Sequence, residues 1–197
     1  RTSDGGDNWG NANCGLPAGI RMISLAAGPE GRVYAGTQNS YMYRTTNFGA
    51  IWYQTTGWES KTVACIDVDE FANVYAGTYG VSGAYVSTNA GAVFVQRKVG
   101  MTDFNISAIR AVSNRLCFAG TSSGILYRST NQGEQWSTVR AGNGIRAKTI
   151  AGKEGSKLYV GFDGLGVVVS ADEGVTYSDM NTGLTDLHVM ALTLAAD

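Results

Sequence analysis

The chain has one histidine and three cysteines in 197 residues, and no apolar run in it approaches the roughly 20 residues of a membrane-spanning helix. Cys14, Cys65 and Cys117 are an odd number with no CxxC pair, which argues against the usual zinc and dithiol motifs. Cys65 and Cys117 fall in apolar stretches, where small buried free thiols are expected. With His188 the sole imidazole, a Ser-His-Asp triad would have to be built on it, and no nucleophile-elbow sequence accompanies it. Charge is sparse and balanced. The formal net charge is −1 and Arg97-Lys98 is the single adjacent basic pair, so no basic stripe argues for nucleic acid. No stretch sustains a 3.6-residue apolar period, so almost no helix is expected. No signal peptide stands at Arg1; the chain opens inside a repeated motif, and a mature or trimmed start is the expectation.

What the chain has instead is glycine and repetition. Its 27 glycines are about twice the average share, as a fold dense in tight turns requires. A motif, Ser/Thr-x-Asp/Asn-x-Gly-x-x-aromatic, occurs five times, at Thr2–Trp9, Thr45–Trp52, Ser87–Phe94, Ser129–Trp136 and Ser170–Tyr177. The steps between copies are 43, 42, 42 and 41 residues. A second marker keeps phase with it: Tyr34-Ala-Gly36, Tyr75-Ala-Gly77, Phe118-Ala-Gly120 and Tyr159-Val-Gly161. Self-similarity at about 40–45 residues is the signature of propeller blades. Between the markers lie short β-branched and aromatic runs. In the second unit these are strand A at Val63–Val68, strand B at Asn73–Gly77, strand C at Gly83–Val86 and strand D at about 93–99.

The motif reads physically as a hairpin turn. Its Asp or Asn side chain accepts backbone N–H groups, its hydroxyl does the same more weakly, and its Gly supplies a positive φ. A calcium loop would need a cluster of carboxylates, and three of the five copies carry Asn, so no metal is expected there. The five motifs resemble the Asp-box, or BNR, repeat of sialidases, xyloglucan-degrading glycosidases, sortilin sorting receptors and a photosystem II assembly factor. The resemblance covers essentially the whole chain. It implies an all-β propeller of four-stranded antiparallel blades, with the Asp-boxes as scaffold on the face away from any active site. Because that family spans hydrolases, receptors and assembly factors, it implies the fold more narrowly than the function.

The phase of the repeat divides the chain into one propeller domain over 1–197. A partial blade covers 1–19, full blades cover 20–61, 62–104, 105–144 and 145–187, and strand A of a further blade covers 188–197. Aligning 194–197 on 25–28, and Arg1 on Arg44, leaves template positions 29–43 unfilled. The ring is therefore either five-bladed without one strand B or part of a larger propeller. A missing strand B would leave unpaired edges, which a missing segment or a partner chain could fill by β-augmentation.

Antiparallel order puts A–B and C–D turns on one face, Asp-boxes included, and B–C and D–A loops on the other. The second face is where ligand chemistry is sought. Its D–A loops bring Trp58, Glu59, Asp103, Phe104, Asp186 and His188, and its B–C loops bring Tyr79 and Asp163. Aromatic rings beside carboxylates suit a sugar or a polar protein group, through stacking and charge-assisted hydrogen bonds. The candidate ligand residues are Trp58, Glu59, Tyr79, Phe104, Asp163 and His188, with Trp58 and Phe104 equally able to fill gaps between blades. Asp103 and Asp186 are weak candidates for the carboxylate pair a glycosidase needs. Asp67 and Asp69 alternate along strand A as a further acidic pair or a channel lining. Arg21 and Arg146 share one strand A position, as a sialidase arginine set would, but the Arg-Ile-Pro signature of that family is absent. The expectation is a binding or scaffold propeller for a glycan or protein partner, without cofactor, outside the cytoplasm or on a cell surface. The alternative is a glycoside hydrolase of xyloglucanase or sialidase type, or a fragment of one.

Overall fold

A computed structural model describes residues 1–59 and 61–195. Among these residues there is no helix; sixteen strands form four antiparallel sheets of four. The first blade contains β1 Met22–Ala27, β2 Val33–Thr37, β3 Met42–Thr45 and β4 Tyr53–Gln54. The second contains β5 Val63–Val68, β6 Val74–Thr78, β7 Ala84–Ser87 and β8 Val95–Arg97. The third contains β9 Ile106–Ala111, β10 Cys117–Thr121, β11 Leu126–Ser129 and β12 Ser137–Arg140. The fourth contains β13 Ala147–Ala151, β14 Leu158–Phe162, β15 Gly166–Ser170 and β16 Ser178–Asp179. Each sheet pairs its strands in sequence order, and inner strands pack in succession, β1 on β5, β5 on β9 and β9 on β13. The architecture is a β-propeller whose sheets do not close into a ring.

Four of the five repeated motifs are third-to-fourth-strand turns, the first lying ahead of β1, and their chemistry is the same five times over. The Gly N–H donates to the first-position hydroxyl at 2.8–3.1 Å, in Gly6, Gly49, Gly91, Gly133 and Gly174 alike. The seventh residue's N–H donates to the Asp or Asn oxygen at 2.9–3.1 Å. The hydroxyl is thus as regular an acceptor as the carboxamide. The turn also bends left-handed twice, not once: Phe48, Ala90, Gln132 and Glu173, each before the Gly, have φ of 54° to 58°. A side-chain-bearing residue there costs about 1–2 kcal/mol. The first box has Gly5 at that position.

The second marker's glycine has a packing reason. A Cβ on Gly36, Gly77, Gly120 or Gly161 would come within 3.0 Å of Val63, Ile106, Ala147 or Val189 in turn. Val63, Ile106 and Ala147 each open the next inner strand, and Val189 takes the same place in the tail, so the glycine lets successive segments pack closely around the axis. The aromatic two residues earlier points into the seam. Tyr34, Tyr75 and Phe118 are essentially fully buried, covered by the next blade. Three cores therefore form between blades rather than within them. In the first seam, Tyr34 and Met42 meet Val63, Val74, Ala76, Tyr85 and the box aromatic Phe94.

The ends differ from the middle. Leu25, which faces away from the second blade at the open side of β1, is 66% exposed, whereas the equivalent Ile109 and Ile150 are buried in seams. Residues 188–195 pack where a fifth inner strand would, but two residues out of the expected register: Val189 takes the place of Val63, Ile106 and Ala147, so Leu192 rather than Leu194 corresponds to Leu25. Val189 sits over Gly161 and its N–H donates to the Phe162 carbonyl at 2.9 Å, and the Leu192 N–H reaches Thr149 Oγ1 at 3.3 Å. The segment is not a strand, because no second strand lies beside it to form a ladder. Residues 196 and 197 of the expected terminal strand lie outside the described residues. Asp67 of β5 and Asp69, just past its end, do not act as a pair. Asp67 reaches across the seam to Arg110 at 3.2 Å and to the Ala111 N–H at 2.8 Å, and Asp69 caps the following turn through Phe71 and Asn73.

Candidate functional site

The loop face opposite the Asp-boxes is built by one device repeated. Each inner strand carries a one-residue bulge, at Ile23, Ala64, Ser107 and Lys148, which turns the strand's entry toward the mouth of the axis. Side chains just before the bulge tie each blade to its predecessor. The Asn39 N–H donates to Thr62 Oγ1 at 3.1 Å, and the Gly80 N–H donates to Asn105 Oδ1 at 2.9 Å. At the last junction His188 Nδ1 lies 2.8 Å from Asp163 Oδ1. Lys148, on the bulge, pairs with the other oxygen of Asp163 at 3.2 Å.

Tyr79 is the most open aromatic of this face. The Arg146 guanidinium lies over its ring, 5.1 Å from the centroid, and Arg21 lines a cavity of about 360 Å³ with Tyr79, Thr62, Ala64, Gln38 and Ile23. Arg21 and Arg146 occupy the same repeat position three blades apart; Arg146 lies over the Tyr79 ring and Arg21 lines the cavity beside it. The Arg146 Nε is buried without a hydrogen-bond partner. The guanidinium charge of Arg146 over an exposed ring, beside a cavity lined by Arg21, is suited to an anionic or carbonyl oxygen.

The remaining sequence candidates are placed as follows. Trp58 lies in the first seam, its ring stacked on Tyr85 at 4.5 Å and tilted against Phe94 at 4.8 Å. Glu59 is exposed and paired with Lys61 at 3.0 Å. Phe104 packs on the core of the second seam with the Lys98 ammonium over its ring at 5.0 Å. Asp186 accepts the His188 N–H at 2.9 Å and so caps the entry to the tail. Asp103 accepts from Ser123 Oγ at 2.6 Å and from the Asn105 N–H at 2.9 Å. Burial would push the Asp103 carboxyl up, but these bonds outweigh it and hold it below the usual range. Asp163 is likewise held low, by His188 first and Lys148 second, and the His188 imidazole is raised by Asp163. Neither Asp103 nor Asp163 has the raised pKa that a general acid requires. Cys65 and Cys117 are free, and burial pushes both thiols up to about 12, which removes them as nucleophiles at neutral pH. Among the described residues no group of three or more His, Cys, Asp or Glu side chains converges.

Lys148 was not among the sequence candidates. It stands at the bulge two residues after Arg146, and a bulge leaves no trace in one sequence.

No family model matches the chain, and no curated protein matches it. Its fold is shared by solved structures. YCF48 from Cyanidioschyzon merolae superposes with a TM-score of 0.63 at 11% identity, over 83% of this chain and 56% of that one. A YCF48 bound to a D1 peptide superposes with a TM-score of 0.64 at 12% identity, over 80% of this chain and 53% of that one. An ancestral GH74 enzyme gives 0.67 at 20% identity, over 81% of this chain and 24% of that one. The chain thus spans about half the length of the YCF48 structures and about a quarter of the GH74 enzyme. At these identities the likeness is one of fold: the chain is a propeller of the architecture those proteins share.

Proposed function

We propose that this chain is a non-catalytic binding propeller whose loop face takes an acidic or carbonyl-rich group of a protein partner around Tyr79. The observation that carries the reading is the Arg146 guanidinium over the exposed Tyr79 ring, beside a cavity that Arg21 and Tyr79 line together. Charge-assisted hydrogen bonds from arginine to a carboxylate are among the stronger polar contacts, and a partly enclosed cavity reduces the competition from water. That a YCF48 structure holds a D1 peptide is in keeping with peptide recognition by this fold. Against hydrolysis stands the state of Asp103, whose oxygens are engaged by Ser123 and Asn105. An acidic glycan offers the same carboxylate chemistry and is the second ligand class to test.

The test is a binding screen of acidic peptides and a glycan array, run beside a hydrolysis assay. Tyr79→Ala and Arg146→Met are each expected to weaken the best ligand about tenfold or more, equivalent to about 1.4 kcal/mol, with affinity falling as salt rises. Undiminished binding in both variants would sink the site. Release of reducing sugar that is lost in Asp103→Asn or Asp186→Asn would replace the binding reading with the hydrolase one.

A further inference from the structure

The mouth of the axis repeats one arrangement four times, and the side chain put to use in it changes from blade to blade. The residue just before each inner strand is Arg21, Thr62, Asn105 or Arg146. Its carbonyl accepts the N–H of the loop after the second strand, from Gln38, Tyr79, Ser122 or Asp163 in turn, at 2.9–3.1 Å. The four positions are therefore equivalent in space as well as in the repeat. Two of them also use their side chains to hold the loop of the preceding blade. Thr62 Oγ1 accepts the Asn39 N–H, and Asn105 Oδ1 accepts the Gly80 N–H. Arginine has no acceptor with which to make such a tie. At Arg146 the guanidinium lies instead over the Tyr79 ring. One repeat position thus supplies a loop tie in the second and third blades and a cation at the rim in the fourth.

We propose that Asn105 is the positioning residue of the Tyr79 site, holding the 79–80 loop so that the ring stands under Arg146. The loop is fixed from both sides. The Tyr79 N–H goes to the Thr62 carbonyl of its own blade, and the Gly80 N–H goes to Asn105 of the following blade at 2.9 Å. Gly80 has a φ of +100°, and a Cβ there would meet nothing within 4 Å, so hydrogen bonding rather than packing holds the turn at that residue. Asn105 is oriented in turn by Asp103, whose Oδ1 accepts its backbone N–H at 2.9 Å and its Nδ2–H at 3.3 Å. A carboxylate can only accept, so it takes the nitrogen end of the amide and leaves Oδ1 for Gly80. Asp103 is itself anchored twice. Ser123 Oγ donates to its other oxygen at 2.6 Å, and its N–H donates to the hydroxyl of the fully buried Tyr127 at 2.9 Å. The bonds therefore run from the core of the second seam, through Asp103 and Asn105, to the loop that carries Tyr79. This role rests on the reading of Tyr79 as the ligand-facing ring, and it gives Asp103 and Asn105 a part in that site without contact with the ligand.

The test uses the whole chain, with an oligoglutamate peptide as the acidic probe. In Asn105→Ala the Gly80 amide should exchange about tenfold faster and the Tyr79 ring signals should shift in the NMR spectrum. Probe affinity should fall about three- to tenfold in the same variant. Asn105→Thr offers a hydroxyl where Thr62 offers one to Asn39, and should restore protection and affinity to within about twofold of the parent. Asp103→Ala, which frees the amide to turn, should act in the same direction but more weakly, and it carries the test if Asn105→Ala does not fold. A Gly80 amide and Tyr79 ring unchanged in both alanine variants overturn the positioning role. So does an Asn105→Thr protein that loses as much as Asn105→Ala. If ring and amide move in Asn105→Ala and recover in Asn105→Thr while affinity follows neither, the positioning stands and the reading of Tyr79 as the ligand residue falls.

Discussion

Trp136 and Trp9 occupy the same position of the same motif, yet one is 2% exposed and the other 75%. Their turns are built alike. The Trp136 box closes through Ser129 and Asn131, the Trp9 box through Thr2 and Asp4, with hydrogen bonds of matching length. What differs is the neighbour. Trp136 fills the seam between the second and third blades, and its Nε1–H donates to the Arg97 carbonyl at 3.1 Å. Trp9 has only its own turn, donating to the Gly6 carbonyl at 3.0 Å. The repeated turn motif is therefore a local fold element that needs no partner to form, while its aromatic stabilises the molecule only where another blade receives it.

Three measurements would break or sharpen this contrast. Trp136→Ala should cost about 3–5 kcal/mol in urea unfolding, from lost burial plus the cavity left behind. Trp9→Ala should stay within about 0.5 kcal/mol, as an exposed substitution does. Equal costs would mean that Trp9 is seated in solution. A smaller separation is expected between Gly91→Ala and Gly6→Ala, since both residues have positive φ but only Gly91 lies against another blade. A Cβ on Gly91 would strike the Tyr34 ring, whereas one on Gly6 meets nothing within 4 Å. The backbone term alone predicts about 1–2 kcal/mol for Gly6, and the clash raises Gly91 to about 2–4 kcal/mol.

The smallest effect concerns the tail, held by His188 against Asp163. The raised pKa of His188 gives a contribution that is complete below the ordinary histidine value of about 6.5 and is lost as pH climbs through the raised value. The lowered pKa of Asp163 gives one that is complete above about 3.9 and is lost as pH falls through the lowered value. Lys148 holds the other oxygen of Asp163 at 3.2 Å, and the Asp186 charge also acts on His188. Hydrogen exchange of the Val189 amide, corrected for intrinsic rates, should therefore be slowest between about pH 4 and 6.5. His188→Ala should abolish the alkaline loss of protection; an unchanged profile would free the tail from this pair.

Much of the fold was legible because blades repeat. The spacing of Thr45, Ser87, Ser129 and Ser170 marks the turns, and Gly36, Gly77, Gly120 and Gly161 mark the places where one backbone passes close over the next. The inner strand expected at Val63–Val68 is β5, and the strands after it lie within two residues of expectation at each bound. The second left-handed residue of each box was not legible, since Phe48, Ala90, Gln132 and Glu173 have no side-chain chemistry in common. The site was legible only as a list of loop residues. Trp58 and Tyr79 look alike in sequence as loop aromatics, but Trp58 lies between Tyr85 and Phe94 while Tyr79 stands at the rim under Arg146.

By itself the sequence determined the unit, because each Asp-box closes through hydrogen bonds among residues no more than four apart. The tertiary structure decided everything that depends on a neighbour forty residues away. It set which aromatics are buried, which acids are paired, that Arg146 lies over Tyr79 while Arg21 lines the cavity beside it, and that Tyr159 lines an open groove. A repeat can specify its own turn locally, but the burial of its apolar face is settled by whichever strand packs against it.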